Sequence, residues 1–139
     1  MNMKYSDTSY FHYVNVNPKN KVTDDCVVRA ISTATEIPYE EVAKGLFDIW
    51  MKKGYHPCDT KCYDEYLKSI GWTKMKQPRK LNNTKYQGYE CGKIFHQPVV
   101  AHLGGHHVVA VREYGNLMKV WDSWDSTDGC FGNYWIKTK

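Results

Sequence analysis

Apolar side chains at Val27, Ala30, Ile31 and Ala34 recur at the three-and-four spacing of a single helical face. They predict a first helix that is capped at Thr23 or Asp24 and runs to about residue 35. A second stripe, Val42, Leu46, Ile49 and Trp50, follows Pro38, whose fixed φ suits a first helical turn. Glu40 and Glu41 fall near the positive end of that helix and Gly54 stops it. Cys62, Tyr63, Tyr66, Leu67 and Ile70 predict a third helix over about 60–70, with Gly71 as a left-handed cap.

Beyond Gly71 the helical period is lost. Residues 72–76 read as an extended piece, 78–89 as a long polar loop with one helical turn, and 98–103 as a strand. Residues 107–113 and 117–121 flank Tyr114-Gly115-Asn116 and read as a hairpin, with a last strand at 133–136. Ahead of the helices, residues 10–16 partly alternate and predict a short strand, followed by a loop at 17–21. Helices followed by strands imply an α+β fold, with N-terminal helices packed on a small C-terminal antiparallel sheet. The length of 139 residues suits one domain, 1–139, able to bury a core without metal or disulfide support.

Charge and cysteine usage narrow the function classes. Nineteen basic against 15 acidic residues give +4, scattered except for Lys74, Lys76, Arg79, Lys80 and Lys85. That cluster has no nucleic-acid motif around it and reads as a solvated face, so no nucleic-acid partner is expected. No apolar run approaches the ~20 residues of a membrane helix, and the N-terminus lacks a signal-peptide core, so no membrane partner is expected and a cytoplasmic location is. Five cysteines without a regular framework suit free thiols in a reducing compartment.

One of those thiols has the setting of a nucleophile. Cys26, in Asp24-Asp25-Cys26-Val27-Val28-Arg29, falls in the first turn of the first helix, where unpaired N–H groups and the helix dipole favour a thiolate. Its own N–H points where a carbonyl oxygen would gather charge, supplying half of an oxyanion hole. Asp24 and Asp25 oppose this unless they turn away, cap the helix, or pair with Lys21 or Arg29. Gly105-His106-His107-Val108-Val109 opens the hairpin and Val120-Trp121-Asp122 closes it, so a tight antiparallel turn brings His106 or His107 beside Asp122. A carboxylate there would fix the tautomer of the imidazole and stabilise its charged form. Asp125 and Asp128 are rivals for that role if their loop folds back, and Trp121 and Trp124 are expected to wall the site.

Asp25-Cys26-Val27-Val28-Arg29-Ala30, Gly105-His106-X-Val108-Val109 and Val120-X-Asp122 resemble the papain-like cysteine peptidases that process bacteriocin leaders, and small relatives from bacteria and phages. The resemblance spans about residues 17–135 and implies a thiol hydrolase with a helix-borne nucleophile and a sheet-borne His and Asp. It makes Cys26 the nucleophile, His106 the base, with His107 as the alternative, and Asp122 the third member. Such peptidases usually carry Gln six residues before the nucleophile as an oxyanion donor. Asn20 stands at that position, one methylene shorter, with Asn17 or a loop N–H as a possible substitute.

Two other readings remain beside the hydrolase. Cys58, Cys62, Cys91, His96, His102, His106 and His107 contain enough sulfur and nitrogen for zinc, but only one tight cysteine pair. A catalytically inactive papain-like binding or inhibitor module of a mobile element would fit the missing Gln. The expectation is a cysteine peptidase that acts on a peptide or isopeptide bond of a protein or peptide substrate, without cofactor or metal.

Overall fold

The structure, a computed structural model, describes residues 3–139. In chain order it contains strand β1 (Phe11–Tyr13), helices α1 (Cys26–Thr35), α2 (Tyr39–Lys53) and α3 (Thr60–Ser69), and strand β2 (Trp72–Met75). A one-turn helix α4 (Cys91–Ile94) follows, then strands β3 (Val99–Leu103), β4 (His107–Tyr114), β5 (Leu117–Asp122) and β6 (Phe131–Lys137). The fold is therefore mixed α and β, with four helices and an open six-stranded sheet.

The three long helices form where the apolar periodicity places them. Their boundaries follow local chemistry. Asp25, rather than Thr23 or Asp24, is the N-cap of α1, and its carbonyl accepts the first helical N–H from Arg29 at 3.0 Å. At the other end Glu36 takes the left-handed conformation (φ 65°) and its N–H donates to Ser32 O. Gly54 ends α2 at φ 78°, a conformation that carries no steric cost for glycine. In α3 the Asp59 side chain accepts from Lys61 N–H, and the helix stops one residue before Ile70.

The sheet is larger than the sequence pattern suggests, and it is neither wholly C-terminal nor wholly antiparallel. Its order is β1-β5-β4-β3-β6-β2. β1 joins β5 in parallel, with Val14 N–H donating to Asp122 O at 2.8 Å and Val120 N–H to Tyr10 O at 2.8 Å. β1 thereby covers the otherwise open edge of β5. β2 pairs with β6 at the opposite edge.

Alternation along the central strands divides the core between two faces. Val100, Val108, Ala110 and Trp135 pack against Ile31, Val42, Leu46 and Leu67 of the helices. Val99, Ala101, Leu103, Val109, Val111 and Val120 pack on the other face with Cys91, Phe95 and Phe131. Each fully buried aliphatic side chain contributes about 1.5–3 kcal/mol, which holds α1 firmly across β4. No helix among the described residues is long and apolar enough to cross a membrane.

Candidate active site

Cys26 opens α1 with its thiol partly buried. Because the helical ladder begins with the Arg29 N–H, the N–H groups of Cys26, Val27 and Val28 have no partner within the helix and leave a positive end around the sulfur. The Asp25 side chain does not cap them. Its Oδ1 accepts from Arg29 Nε at 2.7 Å, and its Oδ2 accepts from Asn17 Nδ2 at 2.9 Å and from the Tyr39 hydroxyl at 2.8 Å. These three donors turn the carboxylate away from the thiol. Burial opposes the charge of Asp25, but its hydrogen bonds to Arg29, Asn17 and Tyr39 outweigh it and hold the carboxyl below its ordinary range. Asp24 is exposed.

The imidazole beside Asp122 is His107, the alternative to His106 that the sequence left open. Leu103 pairs with His107, so Gly104-Gly105-His106 is the three-residue connection between β3 and β4, with both glycines at positive φ and His106 exposed. β4 and β5 join through Gly115-Asn116, with Tyr114 opposite Leu117 and Ala110 opposite Trp121. Continuing that register sets Val109 opposite Asp122. His107, two residues further, is then a diagonal neighbour of Asp122 on the same side of the hairpin, whereas His106 has the opposite parity.

His107 Nε2–H donates to Asp122 Oδ2 at 2.5 Å, which leaves Nδ1 for the thiol. Asp122 is 3% exposed and fully engaged. Its Oδ1 accepts from Arg29 Nη1 at 2.8 Å and from Ser123 N–H at 2.7 Å. Arg29 therefore joins Asp25, next to Cys26, to Asp122, which is hydrogen-bonded to His107.

The Cys26 sulfur and the His107 ring are electrostatically coupled. Burial raises the Cys26 pKa, but hydrogen bonding from His107 and from the Val108 backbone, with the charges of His107 and Arg29, brings it below its ordinary 9.0. Burial likewise works against a charged His107. Hydrogen bonds to Asp122 and Cys26, and the charges of both, raise it to about 9. Each member of the pair favours the ionised state of the other.

No other cysteine has this setting. Burial lifts Cys58, Cys62 and Cys91, the last two to about 11. Cys62 Sγ donates to Leu46 O and Cys91 Sγ to Met118 O, as structural thiols do. His102 Nε2 is hydrogen-bonded to the Tyr63 hydroxyl at 2.5 Å. Among the described residues no three His, Cys, Asp or Glu side chains converge as metal ligands.

The rivals of Asp122 are occupied elsewhere. Asp125 Oδ1 accepts from the Thr127 N–H and hydroxyl, and Asp128 is exposed. Trp124 stands against His107, with ring centroids 5.0 Å apart; Trp121 Nε1 donates to Arg112 O. Asn20 is exposed at φ 52° in the loop leading to Cys26. Asn17 is not available as an oxyanion donor, because its Nδ2 donates to Asp25 and Tyr39. The sequence reading missed Arg29 as the link between the two carboxylates. Its position one helical turn after Asp25 was the available signal.

Comparison with protein-family models, with curated proteins and with solved structures gives no match to this chain.

Proposed function

We propose that the protein is a cysteine hydrolase with a papain-like arrangement, acting on a peptide or isopeptide bond through a thioester. The observation that carries this reading is the reciprocal setting of Cys26 and His107: a thiol favoured as thiolate at a helix start, against an imidazole held and charged by a buried carboxylate.

In the proposed reaction the Cys26 proton rests on His107 Nδ1, and the thiolate attacks the carbonyl carbon. The carbonyl oxygen becomes an oxyanion facing the N–H of Cys26, with the Asn20 amide the nearest sequence candidate for a second donor. As the C–N bond breaks, imidazolium Nδ1 gives its proton to the departing amine. Neutral His107 then takes a proton from water, the resulting hydroxide cleaves the thioester, and the thiol is restored as the acid leaves. Asp122 keeps Nδ1 aimed at sulfur throughout. Five free thiols fit a reducing, cytoplasmic setting, and the substrate in this reading is a protein or peptide.

The test is a comparison of new peptide termini in cells that express the wild type or Cys26→Ala. Cuts that depend on Cys26 are expected, with the two proteins equally stable. Identical termini in both would overturn the proposal.

A further inference from the structure

The surroundings of His107 are asymmetric along the sheet. β5, with Asp122, lies on one side of β4, and β3 followed by β6 lies on the other. The β5 side is closed. Trp124 covers the His107 ring there, and its loop is tied to the N-terminal segment by Asp125 N–H donating to Lys4 O at 2.7 Å.

The β3–β6 side is open. A cavity of about 420 Å³ lies against the turn that leads into His107; its lining includes Gln77, Lys85, His102, Gly104, Cys130 and Asn133. The cavity thus lies on the side of β4 away from Trp124. The other side of the cavity reaches the helices, because His102 is hydrogen-bonded to Tyr63 of α3.

The groups around this cavity favour an anion. Asn133 uses Oδ1 to accept from Gln77 N–H at 2.9 Å, which leaves its NH₂ donors unengaged. Gln77 Nε2 donates to Phe131 O at 2.7 Å. Of the basic cluster in the sequence, Lys80 pairs with Glu90 and Arg79 donates to Asn83 O. Lys85 has no ion pair among the described residues, and Lys74 stands over the Trp135 ring, near His102. Burial, followed by the charges of Lys74 and His106, disfavours a charged His102. The basic cluster thus leaves an uncompensated lysine at the cavity, without a carboxylate lining it.

We propose that this cavity is a substrate subsite for an acidic side chain, so that the protein cleaves next to Asp or Glu. The inference rests on the hydrolase reading above and assigns its substrate class. Lys85 supplies the charge and the Asn133 amide a directed donor, and the glycine-rich turn lets the substrate backbone approach closely.

The test uses the full chain and a peptide library made by tryptic digestion of a cell lysate, with cuts identified by mass spectrometry. Wild type, Cys26→Ala, Lys85→Glu and the charge-matched control Lys52→Glu on α2 are compared. At one position near the cut, Asp and Glu are expected to exceed Asn and Gln by roughly tenfold, the scale of a charge-assisted hydrogen bond. Lys85→Glu should remove that preference and Lys52→Glu should keep it. Cys26-dependent cuts without acidic enrichment, with equal enrichment of Gln and Glu, or with enrichment retained in Lys85→Glu overturn the subsite alone. The absence of any Cys26-dependent cut overturns the hydrolase reading and the subsite with it.

Discussion

Replacing His107 with alanine removes from Cys26 the largest influence that opposes its burial. In the wild type the His107 hydrogen bond, the Val108 backbone and the charges of His107 and Arg29 together bring the thiol below 9.0. In His107→Ala only Val108 and Arg29 remain against burial, so the midpoint of thiolate formation moves up. The same coupling is felt by the other partner. His107 rises from 6.5 to about 9, which corresponds to about 3 kcal/mol of preference for its charged form, and Asp122 shares in that total. A more basic thiolate is intrinsically more nucleophilic, with a Brønsted slope of about 0.4–0.5, so the alkylation rate near neutral pH falls by less than the thiolate population does.

The assay is the rate of Cys26 carboxamidomethylation by iodoacetamide against pH, read by peptide mapping so that Cys58 and Cys130 serve as internal references. The wild-type midpoint is expected below 9.0, with the His107→Ala midpoint above it and the His106→Ala midpoint unchanged. Loss of the low midpoint in His106→Ala but not in His107→Ala would refute the assignment. Coincidence of the wild-type profile with that of Cys58 would refute thiol activation altogether.

Three further outcomes follow from the same network. Arg29→Met leaves two buried carboxylates without their shared cation and should cost about 3–5 kcal/mol in urea unfolding at pH 7. Because Asp25 titrates below 3.8 in the native state, its stabilisation is present above that value and is lost as pH falls through the lower native pKa. The gap between wild type and Arg29→Met should accordingly close in acid, and a gap independent of pH would contradict the ion-pair account. Turnover should fall as pH rises through about 9, where His107 loses its proton, and Asp122→Asn should move that limb downward. If Asn20 is the second oxyanion donor, Asn20→Gly should lower kcat by about 10²–10³ at unchanged thiol reactivity, and an unchanged kcat would assign the role elsewhere.

What the sequence made legible was local, and what it concealed depended on distant partners. The helices could be read because their apolar stripes repeat within a few residues, and Cys26 because a helix start is a local electrostatic fact. β1 could not be paired, since three residues offer little pattern and their partner strand lies more than a hundred positions away. The choice between His106 and His107 is different, because the needed information lay within one hairpin. A two-residue turn at Gly115-Asn116 fixes Tyr114 opposite Leu117, and that register alone carries Asp122 to Val109 and makes His107 the histidine of matching parity. His106, directly after Gly105, lies in the turn that Gly104 and Gly105 build. Sheet register thus accounts for the pairing of His107 with Asp122, since a slip of one residue would turn the imidazole to the opposite side of the hairpin; the approach of Cys26 comes from α1 and is set by the helix packing.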